Sequence, residues 1–219
     1  MNDPVSRGTP PPPPSVAGVF HARTPLIEAY ADWLAGPGIE RGLIGPRELP
    51  RLWDRHVLNC AALAAVVAPD RRVADVGSGA GLPGLVLAIA RPDLQVTLIE
   101  PLLRRTTFLE EVVADLGLGD QVAVARGRAE EVPGQGTFDV VTSRAVAALD
   151  KLLRWSLPLC TPAGEVLALK GRSAPDEIEA ARPALHRLRC GTPEVLLVEK
   201  DWLSSPVTVV RVEARPASR

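Results

Sequence analysis

Residues 73–84 read Val-Ala-Asp-Val-Gly-Ser-Gly-Ala-Gly-Leu-Pro-Gly. A short β-branched run ends at an acid, Asp75. A turn then carries Gly77, Ser78, Gly79 and Gly81, and an apolar stretch opens at Leu82. Glycine lets the backbone take positive φ and lets another group approach the main chain closely. The helix start beyond it adds unpaired N–H groups. A strand, a glycine turn and a helix in that order form a cradle for a nucleoside-containing ligand. The spacing permits two versions of it. The glycines fit Gly-x-Gly-x-Gly at 77, 79 and 81, two residues after Asp75. They also fit the dinucleotide fingerprint Gly-x-Gly-x-x-Gly at 79, 81 and 84. A tight turn with no ligand is the third option, and the glycines alone do not decide among them.

The surrounding pattern extends the cradle into a sheet. Strands are expected at 73–76, 95–99, 122–125, 138–142, 165–170, 195–199 and 207–212, with helices at 82–90, 102–116, 149–159 and 176–189. Strands alternating with helices imply an α/β, mostly parallel sheet covered on both faces. The last two strands have no helix between them, so a hairpin at 202–206 would put an antiparallel strand at the edge.

Ahead of the sheet, Leu26, Ile27, Tyr30, Trp33 and Leu34 recur at helical spacing, and Gly36-Pro37-Gly38 stops that helix. A second helical region is expected over 48–67, its inner face including Leu52, Val57, Leu58, Leu63 and Val66. Residues 1–19 contain the run Pro10 to Pro14, which favours polyproline II and builds no core. The expected organisation is a disordered tail over 1–19, a small helical part over 20–68 and the main α/β domain over 69–219.

Composition excludes several classes. The formal net charge of −1 gives no global field toward nucleic acid, so any RNA must be met by local basic clusters. No stretch is long and apolar enough for a membrane span, and the first residues lack a secretory signal pattern. Cys60, Cys160 and Cys190 stand singly, so neither a disulfide framework nor a zinc site is expected, and no metal at all. The cytoplasm is the default compartment.

Several residues carry chemistry at the carboxyl edge of the expected sheet, where ligands bind. Glu100 ends the second strand, about twenty residues beyond the glycines, where an acid hydrogen-bonds a ribose diol. Ala129 and Glu130 follow the third strand and could meet an adenine. Arg144 ends the fourth strand and Lys170 the fifth, so both cations are expected at the mouth that holds the glycines. Either could position a guanine edge. Arg51, Arg55 and His56 in the second helical region, joined by Lys170, form a candidate RNA-binding group. No triphosphate-binding loop, nucleophile elbow, Asn/Asp-Pro-Pro-Tyr or Pro-Cys motif is present.

The strings Leu52-Trp-Asp-Arg-His-Val-Leu58, Ala74-Asp-Val-Gly-Ser-Gly-Ala-Gly-Leu-Pro-Gly84, Ser143-Arg-Ala145 and Leu169-Lys-Gly171, in that order and spacing, are a specific combination. Through them the chain resembles the glucose-inhibited division protein B (GidB, RsmG) family of 16S rRNA guanine-N7 methyltransferases, over about residues 25 to 212. The resemblance implies a class I, Rossmann-like, S-adenosylmethionine-dependent methyltransferase fold of seven strands. It implies S-adenosyl-L-methionine as cofactor, held by Gly77, Ser78, Gly79, Gly81, Leu82, Glu100, Ala129, Glu130 and Arg144. It implies methylation of N7 of guanine 527, in the 530 loop of 16S rRNA. The partner is then the small ribosomal subunit, with no membrane or DNA partner and a monomeric protein. Many members carry Asn-Leu-Thr where this chain has Gly42-Leu43-Ile44. Guanine N7 has a lone pair and no proton, so no general base is expected and positioning dominates. Two other classes stay open: a nicotinamide-dependent oxidoreductase, which lacks a credible hydride-relay set here, and a ribosome-binding factor without catalysis.

Overall fold

The computed structural model describes residues 8–214. Seven strands form one sheet: β1 (Arg72–Val76), β2 (Gln95–Glu100), β3 (Val122–Arg126), β4 (Phe138–Arg144), β5 (Cys160–Lys170), β6 (Glu194–Val198) and β7 (Val207–Glu213). Their order is β3-β2-β1-β4-β5-β7-β6. The first five are mutually parallel. The hairpin forms as expected, and antiparallel β7 lies at that end of the sheet, between β5 and β6. The chain steps from β1 outward to β2 and β3, then returns to place β4 on the other side of β1. The carboxyl ends of β1 and β4 therefore flank the topological switch point, where open α/β sheets bind ligands.

The helices are α1 (Ser15–Phe20), α2 (Thr24–Trp33), α3 (Asn59–Ala61), α4 (Gly84–Ala90), α5 (Leu103–Asp115), α6 (Leu149–Ser156) and α7 (Ala174–Leu188). Each strand alternates sides with period two. Val73 and Leu167 face one core, while Ala74, Val76 and Val166 face the other. The first core joins α1, α2, α4 and α5 through Phe20, Ile27, Leu87 and Phe108. The second joins α6 and α7 through Leu149, Leu153 and Ala181. The N-terminal helices thus share a core with the helix that leaves the glycine turn.

Two expectations change: Gly36-Pro37-Gly38 does not stop its helix, which continues through a π-helical stretch over Leu34–Gly38, and the proline-rich tail is held. The proline-rich segment is not free over its described part, and residues 1–7 lie outside the described residues. Val16 and Phe20, one turn apart on α1, are buried in the first core. The Trp53 indole Nε1 donates to the Pro10 carbonyl at 2.7 Å. Composition favoured an extended tail, but two large apolar groups at i, i+4 give a face whose burial is worth about 1.5–3 kcal/mol per side chain. The second helical region forms as expected, over 46–65, though not as a regular α-helix. A 3-10 turn spans Pro46–Arg51, a π-helical stretch spans Leu52–Leu58, and α3 follows. Pro46 and Pro50 supply no N–H to a regular ladder. The wide π-helical stretch buries Leu52, Trp53, His56, Val57 and Leu58 together, a geometry common at functional sites.

Candidate functional site

The turn after β1 is held open by its glycines. Gly77, Gly79 and Gly81 have φ of +71°, +59° and +98°. The N–H groups of Gly77 and Ser78 both donate to the Ile99 carbonyl, at 2.8 and 3.2 Å, which ties the turn to the end of β2. Glu100 completes that tie. Its Oε2 accepts from Gly79 N at 3.1 Å and its Oε1 from Leu102 N at 3.1 Å, with Arg105 Nη1 3.5 Å away. The carboxylate is 1% exposed, so protein groups on both sides fix its direction.

Beneath the turn, fully buried Asp75 accepts at Oδ2 from Gly84 N, at 3.0 Å, while its Oδ1 has no hydrogen-bond partner. Burial pushes its carboxyl up to about 7. Gly84 lies against Asp75 and Leu98, where a Cβ would overlap both. It is a packing residue, the role that the third glycine of a dinucleotide fingerprint also has, so Gly84 alone does not separate the two versions of the cradle. From the N-terminal part, the buried Tyr30 hydroxyl donates to the Ala80 carbonyl at 2.8 Å and braces the turn.

These elements enclose a cavity of about 580 Å³. The turn contributes Gly77, Ser78, Gly79 and Leu82; Glu100 comes from β2; Ala129 and Glu130 follow β3; Arg144 ends β4. All the sequence-predicted cofactor residues except Gly81 therefore meet on one wall or another. Gly81 faces inward, and a Cβ there would stand 3.0 Å from the Tyr30 hydroxyl and closer still to Leu85. Its glycine serves the turn and its packing, not the cavity lining. Sequence reasoning missed Leu43, Ile44 and Trp155, which also line the cavity. The Gly42-Leu43-Ile44 departure was the available signal for the first two.

A second cavity of about 960 Å³ adjoins the first and shares Arg144, Ala145 and Val146 with it. Four cations, Arg55, Arg144, Lys170 and Arg172, line it with two acids, Glu48 and Glu177. Lys170, expected at the glycine mouth, lines only this second cavity. Its Nζ is 2.7 Å from Glu177 Oε2 and 2.8 Å from the Ala147 carbonyl. The acid in the first turn of α7 engages it, and the lysine braces the loop after β4. Arg51 and Arg55 are exposed as RNA contacts require, but Arg51 lines neither cavity.

Arg144 stands on the shared wall. Its Nη1 donates to the Arg55 carbonyl at 3.1 Å and to Cys60 Sγ at 3.7 Å, and its Nη2 meets His56 Nδ1 at 2.6 Å. His56, expected at the RNA-facing surface, is 7% exposed, and its Nε2 lies 2.9 Å from Glu48 Oε2. Both ring nitrogens are engaged within the protein, so the ring acts on Arg144 rather than on an external ligand. Burial, with Arg144 next, holds its pKa below the usual histidine value. The hydrogen bond to His56 holds the Glu48 carboxyl below its own usual value.

The model of the family described as rRNA small subunit methyltransferase G matches residues 23–197. The chain is 60% identical to a ribosomal RNA small subunit methyltransferase G from Nocardioides sp., over 97% of this chain and 85% of that protein. It is 53% identical to one from Mycobacterium marinum, over 90% and 86%. Among solved structures it is similar to TYW2 from M. jannaschii in complex with AdoMet (TM-score 0.56, 18% identity, 74% of this chain and 76% of that one). It is also similar to the tRNA (m1A58) methyltransferase TrmI from Aquifex aeolicus (TM-score 0.54, 15% identity, 71% and 67%). At those identities the structural likeness shows a shared Rossmann-like methyltransferase fold.

Proposed function

The chain belongs to the rRNA small subunit methyltransferase G family, and we propose that it transfers a methyl group from S-adenosylmethionine to N7 of a guanine in 16S rRNA, guanine 527 of the 530 loop. The observation that carries this reading is the pair of cavities meeting at Arg144. The first suits the cofactor: its turn has no side chain at Gly77 or Gly79, and a Cβ at Gly77 would crowd the Val146 side chain on its wall. Glu100 lies against the turn, and its Oε1, which accepts only from Leu102 N, has a lone-pair site left for a ribose hydroxyl. Ala129 and Glu130 offer an adenine an apolar wall and an acceptor.

When bound, S-adenosylmethionine supplies an electrophilic methyl group. The chain's own residues then have to hold the acceptor. The second cavity, with four cations against two acids, suits a nucleotide with its phosphates. Arg144 uses three of its five N–H donors within the protein. The remaining two are available to a guanine edge. No proton must be removed from N7, and the histidine and carboxylates around Arg144 are already engaged in holding cations. The protein would act in the cytoplasm as a monomer on the small subunit or its RNA.

The test is methyl incorporation from tritiated S-adenosylmethionine into purified small subunits. We expect label in 16S rRNA, and at least a tenfold lower rate, about 1.4 kcal/mol, for Arg144→Ala. Association with subunits and cofactor binding without any label would instead support a binding factor. Tight NAD binding with none for S-adenosylmethionine would support an oxidoreductase.

A further inference from the structure

We infer that Glu48 and His56 are positioning residues for Arg144: a neutral imidazole accepts from the guanidinium and fixes it on the wall between the two cavities. The inference rests on the proposed reading, in which cofactor and target base meet at that wall. A guanidinium can only donate, so His56 Nδ1, 2.6 Å from Nη2, must be the accepting nitrogen. The hydrogen then sits on Nε2, where it donates to Glu48 Oε2 at 2.9 Å. The order of the chain of hydrogen bonds is therefore fixed: Arg144 to His56, His56 to Glu48.

The choice of partners explains why a histidine stands here. All three of Arg144's acceptors are neutral: the Arg55 carbonyl, the Cys60 sulfur and His56 Nδ1. Burial pushes the Cys60 thiol up to about 11, so it stays protonated. A carboxylate in direct contact would neutralise the guanidinium and compete with an RNA phosphate or base for it. Neutral acceptors set its direction and leave its charge facing the cavities. The acid stands one step back, where it fixes the tautomer and ring orientation. The same ring links the π-helical stretch to the end of β4, which lie 88 residues apart in the chain.

The device has a built-in acid limit. Protonated His56 would carry a hydrogen on Nδ1, aimed at a donor, and a positive charge beside another. The charged groups facing the ring are Glu48 from the preceding turn, Arg55 on its own helical stretch and Arg144 from β4. Two cations and burial oppose protonation while Glu48 favours it. The ring is therefore neutral at neutral pH, and Arg144 loses its acceptor only below the usual histidine range.

The experiment measures kcat and the KM for small subunits from about pH 5 to 8, with S-adenosylmethionine affinity by calorimetry. Wild type, His56→Asn and His56→Phe are compared. Asparagine keeps an acceptor near the Nδ1 position and cannot titrate; phenylalanine keeps the ring and removes the acceptor. We expect wild-type kcat to fall on the acid side, the asparagine variant to show no such fall, and the phenylalanine variant to lose about tenfold to a hundredfold in kcat at every pH. Cofactor affinity should stay unchanged in both. A flat wild-type profile, or full kcat in a folded phenylalanine variant, overturns the inference. If wild type methylates nothing, the functional reading fails instead. The relay is then still decided by the nitrogen NMR shifts of His56, which must report a neutral ring with its proton on Nε2; a proton on Nδ1 overturns it.

Discussion

The glycines of the turn divide into two kinds, and one pair of substitutions separates them. At Gly77 the backbone has φ +71° and a Cβ would stand 2.8 Å from Val146 Cγ2. Alanine in that conformation costs about 1–2 kcal/mol. Val146 is 36% exposed and can turn aside, so little is added. For a chain of this size that is a fall in Tm of about 2–8 °C. The new methyl group and the displaced valine both take volume from the first cavity, so S-adenosylmethionine should bind Gly77→Ala at least about tenfold more weakly, a change of about 1.4 kcal/mol. Gly84 is the opposite case. It lies within α4, and its Cβ would stand 2.8 Å from Asp75 Oδ2 and against Leu98, both fully buried. Overpacking costs about 1–3 kcal/mol, and the disturbed bond from Gly84 N to Asp75 about 1 more. Gly84→Ala should therefore lose about 2–4 kcal/mol of stability while the folded fraction binds the cofactor as wild type does. Thermal denaturation and calorimetric titration measure both quantities. If Gly84→Ala weakens binding as much as Gly77→Ala, or Gly77→Ala binds normally, the division between cavity glycine and packing glycine is wrong.

Tyr30→Phe leaves the Ala80 carbonyl without its 2.8 Å partner; a loss of about 1–3 kcal/mol is expected in urea denaturation, with weaker cofactor binding because the turn loses its brace. Lys170→Ala frees Glu177 and the Ala147 carbonyl; the KM for small subunits should rise while calorimetry shows cofactor affinity unchanged. Asp75, whose carboxyl is raised to about 7 in the fold, binds more protons folded than unfolded below that pH. Its contribution to stability therefore shrinks as pH rises from the ordinary carboxylate range through 7. Against wild type, Asp75→Asn should gain relative stability in denaturation midpoints measured from about pH 5 to 8.

The sheet and the glycine turn were legible because their signals are local. β-branched runs end at Asp75, Glu100 and Arg144, and in a parallel sheet strand ends line up at one edge, so Glu100, Ala129 and Arg144 could be expected together before any contact was known. What could not be read depends on packing between distant segments. Tyr30 was visible as an inner helical residue, yet the carbonyl it meets lies 50 residues away. His56 carried the right chemistry for a cleft, but its engagement with Arg144 rests on the π-helical stretch that turns it inward. Lys170 was placed by its strand end, whereas its direction was set by Glu177 at the start of α7. The proline run pointed to an extended tail, and burial of Val16 and Phe20 outweighed it over the described residues.

The central claim is tested most directly by mapping N7-methylguanine in 16S rRNA from cells with the gene intact, deleted, and restored with wild type or Arg144→Ala. The account predicts one modified guanine in the 530 loop that disappears on deletion, returns with wild type, and returns weakly or not at all with the variant. A modification that persists in the deleted strain would contradict it.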